Sequence, residues 1–143
     1  MTEAYNQQAQ ELLEAATKLN SISNKLRNLE REISGFISNT SDRLATDLLR
    51  LQDGNLNMTT LSNADKRNRL DEAYDLKERV EQRAQGSQKL AWRCGESALE
   101  HMKGEAGDTK STTRSKFAGT HVEVEQESLN DLLDEWEAIQ ESD

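Results

Sequence analysis

From Tyr5 to Leu51 apolar residues return at alternating steps of three and four, the spacing of a helix that buries one continuous seam. Written as heptads, the seam takes Tyr5, Leu12, Leu19, Leu26, Ile33 and Thr40 at one position and Ala9, Ala16, Ser23, Glu30, Ile37, Leu44 and Leu51 at the other. Around the weak members Ser23 and Glu30, the flanking positions are filled by Ile22, Leu29 and Phe36. The stripe therefore broadens, and a broadened stripe packs against more than one neighbour.

A second periodic run follows a cluster of turn formers, Asp53-Gly54-Asn55-Leu56-Asn57. Ser62 and Asp65 form a capping-box-like pair, and beyond them Leu70, Ala73, Leu76 or Lys77, Val80, Ala84, Ser87, Ala91, Cys94, Ala98 and Met102 keep the same rhythm. Its middle is made of small side chains, which lets a neighbouring backbone come close. Two runs of similar length across a short turn predict an antiparallel hairpin: a first helix over about 3–52, a turn at 53–58 and a second helix over about 60–103. The expected hairpin seam is Leu12, Leu19, Leu26, Ile33, Ile37 and Leu44 against Val80, Ala84, Ala91, Cys94 and Ala98. Leu90, Trp92 and Leu99 fall off that seam. In a lone hairpin they stay partly wet, so the hairpin is expected to assemble into a bundle, with a second copy or with a partner's helices.

Gly107, Gly119 and a run of Ser and Thr interrupt the pattern, and 104–121 reads as a flexible linker. The pattern then resumes over 122–143 as an acidic amphipathic segment, with Leu129, Leu132, Leu133, Trp136 and Ile139 on one face and Ser128 and Asp131 as a capping pair. A helix of that length is marginal alone, so it is expected to dock, either on a protein partner or on the basic residues of the second helix. The fold class expected is thus all-α: a long coiled-coil-like hairpin followed by a short acidic helix on a tether.

Charge agrees with that division. The chain has a formal charge of -9, yet nine carboxylates, from Glu123 to Asp143, follow the last basic residue, Lys116. Taking those nine from 27 acids leaves 18, matched by 18 Lys and Arg. A neutral body with an acidic end is not the footprint of a nucleic-acid binder. No stretch has the apolar length of a membrane span, so no membrane insertion is expected. With one cysteine no internal disulfide can form, and a reducing, cytoplasmic setting is expected, with signal-less export left open.

Catalytic chemistry needs converging groups, and two histidines, one cysteine and no Gly-rich phosphate loop give no enzymatic signature. Cys94, His101 and Glu105 share helical spacing, but three mixed groups on one helix read as a buried thiol and a rim histidine before a metal site. No cofactor is expected. The function expected is a non-enzymatic protein-interaction module, in the manner of an adaptor, assembly factor or secretion-type chaperone. Two alternatives stand beside it: an inhibitor or immunity-type protein whose acidic helix blocks a basic site, and a structural subunit of a helical assembly.

Overall fold

Among the described residues the computed structural model has three helices, α1 (Thr2–Gln52), α2 (Thr59–Met102) and α3 (Asp108–Glu141). It describes the backbone over 2–52, 59–102 and 108–141, and side-chain surroundings over 7–46, 49, 66–102 and 119–141. The expected turn at 53–58 lies outside those residues, and the side chains of Tyr5 and Leu51 at the ends of the first seam lie outside the described surroundings. No described helix is long and apolar enough to cross a membrane.

The architecture is all-α, as the two periodic runs require. α1 and α2 are antiparallel: Leu12 and Leu19 pack with Ala91, Cys94 and Ala98, whereas Ile22, Leu26 and Ile33 pack with Ala73, Leu76, Val80 and Ala84. All eleven seam residues named from the sequence are buried. At 1.5 Å per residue α1 is about 75 Å long, and it runs unbroken through Gly35.

α3 lies along this pair. Its Trp136 meets Phe36 of α1 edge to face, with ring centroids 5.4 Å apart. On α2, Glu125 faces Ser87 and Glu135 faces Arg79. Rising numbers on α3 thus go with rising numbers on α1 and falling numbers on α2, which makes an up-down-up three-helix bundle. The broadened stripe of α1 explains the arrangement. Ile22, Leu29 and Phe36 are the side chains that reach beyond α2 to α3.

Two features depart from the sequence reading. The stretch 104–121, expected to be a linker, is helical from Asp108 onward. Helix nucleation is the costly step, so once 122–139 is docked, extending the helix backwards costs little per residue even through Ser and Thr. The second departure concerns what covers the hairpin. Its apolar stripe was expected to need an outside neighbour, and on one side the chain supplies its own.

A polar layer divides the core into an upper cluster around Leu26, Val80 and Trp136 and a lower one of Ala9, Leu12, Leu19, Ala91, Cys94 and Ala98. In that layer Ser23 Oγ donates to the Ala84 carbonyl at 2.9 Å, and Ser87 Oγ donates to Glu125 Oε2 at 2.9 Å. Buried polar groups are tolerated only when paired, so these bonds fix the register of all three helices. Sliding any helix by one turn strands them.

Candidate helix-docking groove

The groove that α3 fills is floored by α1 and α2. Ile22, Leu26, Leu29, Ile33 and Ile37 come from one wall, and Ala73, Leu76, Val80 and Ala84 from the other. Into it α3 projects Leu129, Leu132, Trp136 and Ile139, all buried, at the i, i+3, i+7 and i+10 spacing of a single helix face. Of the five residues expected to meet a partner, these four therefore meet their own hairpin. Leu133 does not; it is 42% exposed on the flank of α3.

Both rims of the groove are basic. On the α2 side Arg79 pairs with Glu135 at 2.8 Å and Arg83 Nε with Glu125 Oε2 at 3.1 Å. Exposed pairs such as Arg79–Glu135 contribute about 0–1 kcal/mol. Glu125 is different, being buried: it accepts a hydrogen bond from Ser87 and is ion-paired with Arg83, so removing Arg83 leaves a buried charge without its counter-charge. On the α1 side Lys18 and Lys25 line a cleft of about 460 Å³ with Glu123, Glu127 and Val122 of α3. A matching cleft of about 440 Å³ runs between Arg79 and Arg83 and α3's Ser128, Asp131 and Glu135. These clefts show a helix seated by its apolar ridge and steered by charge. The sequence pointed to the basic residues of the second helix, of which Arg79 and Arg83 are the ones that meet α3, but it gave no role to Ser87 or Glu125. Their only sequence signal was a hydroxyl at a seam position and a carboxylate one heptad before Leu132.

The residues weighed for other chemistry lie elsewhere. Cys94 is buried in the lower cluster, where burial pushes its thiol above the ordinary 9.0. A buried protonated thiol is a poor nucleophile and a poor metal ligand. His101 is buried instead of sitting at the rim as expected, because it lies seven residues after Cys94 and three after Ala98, on the buried face of α2. Among the described residues no group of three His, Cys, Asp or Glu side chains could hold a metal ion.

The fold and groove define a class, a small three-helix bundle whose third helix is seated in a basic-rimmed apolar groove. Comparison with protein-family models, with curated proteins and with solved structures finds no match.

Proposed function

We propose that the chain is a non-enzymatic protein-interaction module whose hairpin groove receives an acidic amphipathic helix. α3 is the occupant carried in cis, and a partner helix with the same pattern of apolar anchors and flanking carboxylates exchanges with it. One observation carries this reading: the groove matches its occupant twice over, through apolar contact along its floor and through opposite charge along its rims. The adaptor or assembly-factor role belongs to this proposal.

The test uses the full chain and a synthetic peptide spanning residues 119–141. Leu129→Asp and Leu132→Asp together weaken α3 in cis and leave the groove intact. The labelled peptide is expected to bind that variant at least about tenfold more tightly than it binds wild type, because wild type must first release its own helix. Charge reversal at Arg79 and Arg83 should weaken binding. Equal binding to wild type and variant, or binding to neither, refutes the proposal.

One observation favours the inhibitor reading as an alternative. With α3 docked, Glu123, Glu127, Asp134, Glu137 and Glu141 stay exposed as an acidic ridge. Binding through that ridge falls steeply with salt, whereas exchange through the groove depends more on the Leu and Trp anchors.

A further inference from the structure

The groove continues past the end of α3. Trp136 is level with Phe36, and α1 and α3 rise in the same direction at 1.5 Å per residue, so Glu141 at the end of α3 is level with Ser41. Beyond that end a cleft of about 160 Å³ lies between α1 and α2, lined by Phe36, Asn39, Thr40, Arg43, Lys66 and Arg69. It is about half the size of the smallest ordinary small-molecule pocket, and it suits one side-chain head group. Each of its cations continues a line of the groove by one heptad. Arg43 stands seven residues after Phe36, Lys66 seven before Ala73 and Arg69 seven before Leu76. The floor therefore changes from apolar to cationic at the level where α3 ends.

Thr40 is the buried member of the lining, at 7% exposed. Thr17 and Thr46 donate their hydroxyls to the carbonyls four residues back, each at 2.9 Å; among the described residues Thr40 makes no such bond. Its hydroxyl is a donor at the foot of a cationic cleft. Among the described residues no carboxylate lines that cleft, and Asp42, Asp71, Glu72, Glu137 and Glu141, from neighbouring turns of the three helices, are exposed. Asp47, seven residues after Thr40, and Asp65, next to Lys66, have side chains outside the described surroundings. A helix carries partial negative charge at its C-terminal end, and the three cations stand at that end of α3. A helix lying the other way would set its positive end against them.

We infer that the cleft is a carboxylate site, and that it takes the acid one heptad beyond the Trp anchor of the helix in the groove. In this chain that acid is Asp143, seven residues after Trp136 and on the line of Val122, Leu129 and Trp136. A helical rise from Trp136 brings it level with Arg43, itself seven residues after Phe36. Arg43 from α1 and Lys66 and Arg69 from α2 supply the counter-charge, and the Thr40 hydroxyl donates a hydrogen bond from below. α3 is thereby held at its end as well as along its length. The contact also fixes register: the layer of Phe36, Ala73 and Trp136 is followed by one of Arg43, Lys66 and Asp143, and a slip by one turn lays the carboxylate on the apolar floor. The inference deepens the interaction-module reading by adding a carboxylate to the anchors that a partner helix must carry. It is tested with α3 in cis, so it stands or falls without any exchange.

The experiment is a double-mutant cycle in the full chain, read by amide exchange over 129–141. Asp143→Asn, and Arg43→Gln with Lys66→Gln, are each expected to speed exchange of those amides about fivefold. Combined, they should be no faster than the faster of the two, because one contact is lost only once. Asp47→Asn and Asp65→Asn are controls, expected within about twofold of wild type. Circular dichroism should show wild-type helicity throughout; if Arg43→Gln with Lys66→Gln unfolds, Arg43→Gln alone completes the cycle. Exchange unchanged by Asp143→Asn overturns the inference, as do effects that multiply in the combined variant. A control that matches Asp143→Asn overturns it too, since the cations then answer to a carboxylate of the hairpin. So does inorganic phosphate, at constant ionic strength, if it slows exchange in wild type, because a cleft that takes an outside anion is not filled by Asp143.

Discussion

Trp136 tests most directly whether α3 is held by the groove. It is 4% exposed, packed on Phe36, and its indole N–H is buried with no hydrogen-bond partner. Burying each of Leu129, Leu132, Trp136 and Ile139 contributes about 1.5–3 kcal/mol, so the docked face contributes about 6–12 kcal/mol before ordering costs. Truncating a buried Trp to Ala costs about 3–5 kcal/mol. The stranded donor offsets part of that, since an unpaired buried N–H costs about 1–3 kcal/mol. Trp136→Ala is therefore expected near the lower end, about 3 kcal/mol, which is a quarter to a half of what holds α3. Trp136→Phe keeps a ring against Phe36 and removes the unpaired donor, so its expected cost is under about 1.5 kcal/mol. Urea unfolding gives the energies, and amide exchange over 119–141 locates them. With Trp136→Ala those amides should exchange about a hundredfold faster, while amides flanking Leu12 and Leu19 in the lower cluster change less. Trp92→Ala is the control and should lie within about 0.5 kcal/mol of wild type. The reasoning fails if Trp136→Ala is as mild as the control, or if Trp136→Phe costs as much as Trp136→Ala.

Two further outcomes follow from single positions. At Gly35 and Gly86 an added Cβ meets nothing within 4 Å, so Gly→Ala at either should stabilise the chain by about 0.5–1 kcal/mol in urea unfolding; a loss at either shows that the space is not open. Burial raises the Cys94 thiol above 9.0, so the folded chain holds a proton that the unfolded chain releases as pH climbs. That contribution is complete below pH 9.0 and is lost as pH rises toward the folded value, so wild type should lose more stability between pH 8 and pH 10 than Cys94→Ala does. Equal losses refute it.

The hairpin was written in the spacing alone. An amphipathic helix tens of residues long has one way to bury its stripe, and Leu12, Leu19, Leu26, Val80, Ala84 and Ala98 occupy the places their period gives them. The fate of α3 was open, because a short acidic amphipathic helix has the same pattern whether it docks in cis or in trans. The polar layer was unreadable for a related reason. Ser87 looked like a small spacer and Glu125 like one solvated carboxylate among many, and only their meeting across α2 and α3 makes them partners.

Local periodicity thus determined that this chain is helical, where its stripes lie, and that the stripe of α1 is too broad for one neighbour. Tertiary structure decided which neighbour fills the excess width and which way it runs. It also left Trp92 and Leu99 outside the core. The physical reason is that a helix's own pattern fixes which face it must bury, whereas the choice among surfaces able to bury it depends on distances between residues far apart in the chain.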